Sequence, residues 1–195
     1  SAPSGALTRR TFRAPFTARG KNGAIHLLEF ATGKSLLVVE KAGATRVALI
    51  SGDSRMMTVR RQLQTQEETK FEIRVWNLEG KEVKSKTCAY AIRSLDASPD
   101  GLRVALGCDD DRVRILDAET LEETAVFRAH DGPVGAVEFH PFKPLLATGG
   151  QDMKVKLWDV NTLEEKRLFI GLVGGVLDVH FNALGTLLGG VKVFL

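Results

Sequence analysis

Ala129-His-Asp-Gly-Pro-Val-Gly-Ala-Val-Glu-Phe-His-Pro141, followed by Leu145-Leu-Ala-Thr-Gly-Gly-Gln-Asp-Met-Lys-Val-Lys-Leu-Trp-Asp159, decides how this chain is read. Val134, Val137 and Phe139 form an apolar stripe, Leu145, Leu146 and Ala147 a short buried run, and Val155 and Leu157 alternate with Lys154 and Lys156. Each pattern predicts a short strand, because side chains leave a strand on alternating faces. His140-Pro141 separates the first two and Gly149-Gly-Gln-Asp152 the second two. Both are turn chemistry, since Gly and Asp tolerate backbone angles that reverse a chain. The expectation is an antiparallel meander ending in Trp158-Asp159.

This meander resembles a WD repeat, the unit of a β-propeller blade. The resemblance implies that His130, Thr148, Asp152 and Trp158 form one hydrogen-bonded chain. The indole N–H donates to the hydroxyl, the hydroxyl to one imidazole nitrogen, and the carboxylate accepts from the other. Such a chain satisfies groups that are costly to bury unpaired. A hydroxyl, an imidazole and a carboxylate together also invite a hydrolase reading. The resemblance favours a structural strut instead, and no catalytic residue is assigned.

Composition sets outer limits. The chain has 195 residues, 44% hydrophobic and 26% charged, with a net charge of +3. That is ordinary globular composition with enough apolar surface for a core. Its apolar runs are too short and interrupted to span a bilayer. Two cysteines, Cys88 and Cys108, give no sign of a disulfide scaffold, so a reduced intracellular setting, cytoplasmic or nuclear, is expected. The charge excess is too slight to argue by itself for nucleic acid.

Residues 1–28 carry Arg9, Arg10, Arg13, Arg19 and Lys21 and no acidic side chain, which leaves an organellar address open. The same arm is the one element suited to RNA. Residues 1–11 are read as a basic tail, 12–44 as a partial blade, 45–86, 87–128 and 129–170 as blades, and 171–195 as a second partial blade. The positions equivalent to Trp158 are Leu28, Trp76, Leu116 and Phe194, giving steps of 48, 40, 42 and 36 residues along the series. An insertion of about seven residues near Arg61–Lys70 accounts for the first step, and the next two match a period of roughly 40 to 45. The last step is short because Leu187–Leu195 is expected to run straight from a second strand into a third.

Other motifs are weaker. Gly33-Lys34-Ser35 echoes a phosphate-binding loop, but Leu28 stands where that loop needs glycine, and no helix pattern follows. Asp109-Asp-Asp-Arg112 lacks the alternate spacing and distal Glu that wrap calcium, so it reads as a solvated turn. In that blade Leu116, Leu106 and Cys88 replace the Trp, the hydroxyl and the His, and apolar packing is expected to hold it.

The expected architecture is all-β: about four blades of a WD-repeat propeller, part of a ring that the resemblance implies has seven and that other chains could complete. The resemblance implies a non-enzymatic protein–protein interaction scaffold that nucleates a multiprotein complex, with no cofactor and no metal. The alternative is an RNA- or ribonucleoprotein-associated subunit using the basic arm, and an enzyme comes last. Candidate partner contacts are Arg60, Arg61, Gln64, Glu67 and Lys70 in the insertion, with Asp109, Asp111, Arg112, Asp131, Gln151 and Met153 in the turns on the face of Asp152.

Overall fold

The computed structural model describes residues 25–28, 35–39, 43–50, 55–63, 69–186 and 188–192. The basic tail, Gly33, Lys34, Gln64, Glu67 and Phe194 lie outside these residues. All regular elements among the described residues are strands. The chain divides into two compact units, residues 1–88 and 89–195.

In the first unit, β1 (Ile25–Leu28) pairs with β2 (Ser35–Val39), and a four-stranded sheet follows in the order β3 (Ala44–Ile50), β4 (Arg55–Leu63), β5 (Thr69–Trp76), β6 (Glu82–Cys88). Ile25, Val39, Met56 and Trp76 form one core. The insertion does not form a loose loop from Arg61 onward. It lengthens a hairpin, with Arg60 opposite Glu72, Arg61 opposite Phe71 and Gln62 opposite Lys70.

The second unit holds β7 (Ile92–Ala97), β8 (Arg103–Cys108), β9 (Arg112–Asp117) and β10 (Glu123–Arg128) in one sheet. A second sheet contains β11 (Val134–Phe139), β12 (Leu145–Gly150), β13 (Val155–Asp159) and β14 (Glu165–Phe169), and β15 (Val176–Phe181) pairs with β16 (Leu188–Lys192). Each sheet is a meander of antiparallel neighbours.

Alternation gives the β11–β14 sheet one face of large side chains and one of small. Phe139, Leu146 and Trp158 pack against Ala105, Val113 and Ile115 of the preceding sheet. On the opposite face Ala136, Ala147 and Val155 receive Val176 and Val179 of β15. Large-on-small stacking lets consecutive sheets approach closely without voids. Two carboxylates repeat as clamps between sheets. Asp96 accepts the Phe139 N–H at 2.8 Å, and Glu138 accepts the Phe181 N–H at 2.9 Å.

Bulges mark equivalent strands, since one extra residue bends the ladder at a fixed point. First and second strands carry one at Ala44/Arg46, Ile92/Ser94, Val134/Ala136 and Val176/Asp178. Third and fourth strands carry one beside the Trp position, at Leu27/Leu28, Val75/Trp76 and Leu157/Trp158. By this mark β1–β2 is a third-and-fourth pair and β15–β16 a first-and-second pair. Val191 and Lys192, expected to enter a third strand, stay in β16 opposite Asp178 and Val176, because Gly189-Gly190 remains in the ladder and makes no turn.

Candidate functional site

His130 lies in the connection from β10 to β11, Thr148 on β12, Asp152 in the β12–β13 turn and Trp158 on β13. The register places Thr148 opposite Lys156 and Leu146 opposite Trp158, so the indole reaches diagonally to the hydroxyl. Trp158 Nε1 donates to Thr148 Oγ1 at 2.9 Å, Thr148 Oγ1 lies 2.8 Å from His130 Nε2, and His130 Nδ1 lies 2.9 Å from Asp152 Oδ1. Asp152 also accepts the backbone N–H groups of Asp131 at 3.1 Å and Lys154 at 3.3 Å.

Burial pushes the His130 imidazole below its ordinary pKa, against the pull of Asp152 in the other direction. The ring is therefore neutral, with its proton on Nδ1 toward the carboxylate and Nε2 accepting from the Thr148 hydroxyl. A side chain at Gly150 would collide with His130 and Asp152, so the second glycine of Gly149-Gly150 is what lets the imidazole lie over the strand. The Thr148 side chain is fully buried, and its oxygen is engaged by both an indole and an imidazole. No substrate can reach that hydroxyl without opening the sheet.

The β7–β10 sheet uses different groups at the same register. Leu106 faces Arg114 where Thr148 faces Lys156. Arg114 grips both oxygens of Asp110, at 2.9 and 2.7 Å, and its guanidinium lies 3.8 Å from the centre of the Tyr90 ring. Tyr90 in turn donates to Glu123 at 2.7 Å. The guanidinium beside Asp110 holds that carboxyl below the usual carboxylate range. Apolar packing thus does not hold this sheet alone: a charged strut stands where the neutral chain is absent.

The β3–β6 sheet keeps half of the neutral chain, with Trp76 Nε1 donating to Thr58 at 2.9 Å. On the lengthened hairpin Glu72 accepts from Arg60 and Arg74, both at 2.9 Å, and from Gln62 at 2.8 Å. A further pair recurs in all three sheets, from a cation two residues before the Trp position to an acid opening the fourth strand. It joins Arg74 to Glu82 at 3.2 Å, Arg114 to Glu123 at 3.9 Å and Lys156 to Glu165 at 3.0 Å.

The expected contact residues of the second unit gather on three turns. Asp109, Asp111 and Arg112 lie in or beside the β8–β9 turn, Asp131 between β10 and β11, and Gln151 and Met153 between β12 and β13. Asp109 pairs with Arg93. Arg128 bridges Asp111 at 3.5 Å and Asp131 at 3.3 Å, and Lys154 reaches Asp131 at 3.2 Å. Asp111 and Met153 occupy the same turn position in left-handed backbone, with φ of 67° and 62°. Met153 keeps 47% of its surface exposed. Of the insertion set, Arg60, Arg61 and Lys70 are strand residues of the hairpin.

Sequence reading missed the Arg114 strut, the Glu72 hub, the recurring cation–acid pair and the carboxylate clamps Asp96 and Glu138. It also missed His140, which is buried. His140 Nδ1 accepts the N–H groups of Phe142 and Lys143 at 3.0 and 2.9 Å, and Nε2 donates to the Gly185 carbonyl at 3.0 Å. The repeated spacing of Arg74, Arg114 and Lys156 before their acids was a usable signal. For Thr58–Trp76 the signal was masked, because the pair is separated by 18 residues where Thr148–Trp158 is separated by 10.

Stacked four-stranded meanders locked by a buried hydrogen-bonded chain define a β-propeller repeat architecture. Residues 80–117 and 121–159 match the family described as WD domain, G-beta repeat, so these two stretches are WD40 repeats of the β-propeller type. Each matched stretch begins with the fourth strand of one sheet, β6 or β10, and ends on the third strand of the next. No curated protein sequence matches the chain. Among solved structures it is similar to a propeller chain of the mitotic checkpoint complex, at 19% identity and a TM-score of 0.66. That likeness covers 83% of this chain and 49% of the other, so this chain spans about half its length.

Proposed function

We propose that this chain is a non-enzymatic protein-interaction scaffold, and that the turns carrying Asp109, Asp111, Arg112, Asp131, Gln151 and Met153 form its contact surface and nucleate a multiprotein complex. The observation that carries this reading is the inward direction of the one hydrolase-like set. Thr148 is fully buried and His130 is 2% exposed, while the exposed groups sit one residue away on the turns that the buried chain braces. Loops held by a rigid scaffold are where binding groups concentrate. The WD40 repeats and the likeness to a chain of a multiprotein assembly support the same reading.

The test is capture from a lysate with the wild-type chain and with a variant carrying Asp131→Arg and Met153→Asp. Both changes lie on exposed turn positions, and circular dichroism checks that the fold is kept. Chemical cross-links from captured proteins should map to the three turns and vanish in the variant. Identical capture and cross-links with both chains would overturn the proposed surface. Turnover of a generic ester that disappears in His130→Ala while the fold is kept would overturn the non-enzymatic reading.

A further inference from the structure

We infer that Arg114 is a positioning residue, coupling the β8–β9 turn to the His130 chain of the following sheet so that the contact turns of two sheets are preformed together. This rests on the interaction-surface reading above. Asp110 is fixed by the two-point grip of Arg114, and Tyr90 holds the guanidinium plane from its face. A planar fork bound to both carboxylate oxygens leaves the turn little freedom, which a single-point cation does not achieve.

The next residue transmits the constraint. Asp111 is held in left-handed backbone, where an L side chain sits at a cost, so the turn has a defined conformation to lose. In that conformation the Asp111 carbonyl accepts the Ala129 N–H at 2.9 Å and the His130 N–H at 3.3 Å. His130 then carries the chain through Thr148 to Trp158 and through Asp152 to the β12–β13 turn. A second link runs in parallel on the surface, from Asp111 through Arg128 to Asp131. The charged strut of one sheet and the neutral strut of the next therefore meet at one carbonyl.

Amide hydrogen exchange on the whole chain tests this without a partner. Arg114→Ala should speed exchange at Ala129 and His130 at least tenfold, while the amides of Ala147 and Val137 in the middle of the next sheet keep their wild-type rates. Arg114→Lys, which retains charge but not the two-point grip, should give an intermediate rate. Cross-links to captured proteins should be lost from the Asp131 and Met153 turns as well as from the Asp109 turn. Unchanged exchange at Ala129 and His130 in either variant would overturn the coupling. Uniformly faster exchange at Ala147 and Val137 in both variants would reduce Arg114 to a general stabiliser. Because exchange is read on the free chain, the coupling can fail while the scaffold reading stands, and the reverse.

Discussion

The β11–β14 and β7–β10 sheets share one register, yet they brace their rim turns with opposite chemistry. In the first, an indole, a hydroxyl, a neutral imidazole and a carboxylate pass hydrogen bonds through the interior. In the second, a guanidinium that is 8% exposed reaches from the third strand to Asp110, whose side chain is 38% exposed. The neutral chain depends on burial, because the indole, the hydroxyl and the imidazole find their partners within it, and only Asp152 has others in two backbone N–H groups. The charged strut keeps its carboxylate end in water, so Asp110 is solvated when it breaks. One repeat has two solutions to the same problem, a turn that must be held, and they should fail differently.

The largest contrast lies at the Trp position. Trp158→Ala removes a large ring that packs on Phe127 at 4.8 Å and frees the Thr148 hydroxyl, so a loss of about 3–5 kcal/mol is expected in urea unfolding. Leu116→Ala, at the same register, deletes only aliphatic packing and should cost about 2–4 kcal/mol, with no effect on any hydrogen bond. Equal losses accompanied by equal disturbance of the two rim turns would erase the distinction.

A step smaller, His130→Ala should cost roughly 1–3 kcal/mol, since Thr148 and Asp152 are left buried without their partner. The exposed positions Asp131 and Met153 should lose order with it, visible as faster amide exchange. In the other sheet Asp110→Asn should cost only about 1 kcal/mol, because half of the pair is already solvated. That loss should shrink as salt rises, whereas the His130→Ala loss should not. Salt sensitivity in both variants would show that the neutral chain is not the brace inferred for it.

How much of this could be read in advance follows from which interactions have a local signature. Alternation of Val134, Val137 and Phe139 and the turn chemistry at Gly149–Asp152 are short-range, so the strands are legible in the residues themselves, while the four-residue chain is legible only through the resemblance to a WD repeat. The last strand change was not. Leu187–Leu195 reads as a second strand passing straight into a third, but pairing with β15 keeps Leu188 through Lys192 in one strand, a choice made by the neighbouring strand. The polar residues of the insertion fit a partner-binding loop and a solvated hairpin extension equally well, and the Glu72 hub that zips it into a hairpin is a cross-strand property that sequence alone does not display. Arg114 was overlooked because a cation within a strand looks like a solvated face. Only the register that sets it opposite Leu106, with Asp110 four residues earlier, turns it inward.

The smallest expected effect separates the sheets by pH. Burial lowers the folded pKa of His130, and the same cause lowers that of His140. In the unfolded chain each imidazole titrates near its ordinary value of about 6.5. Below that value the unfolded chain binds protons that the folded chain refuses, so stability is full above about pH 6.5 and is lost as pH falls toward the folded values. The chemical reason is direct: a proton on His130 Nε2 removes the acceptor of the Thr148 hydroxyl, and one on His140 Nδ1 removes the acceptor of two backbone N–H groups. Asp110 has its folded pKa depressed below 3.8, so the charged strut keeps its full contribution until pH falls below about that value. Amide exchange followed from pH 7 to 5, corrected for intrinsic rates, should therefore loosen the rim turn of the β11–β14 sheet while that of the β7–β10 sheet holds. The loss must stay below that of His130→Ala, since protonation removes one bond of the chain and the substitution removes two. Loosening of both turns in step across this interval would mean that the Asp111 carbonyl carries the disturbance from one strut to the other more completely than its two hydrogen bonds imply.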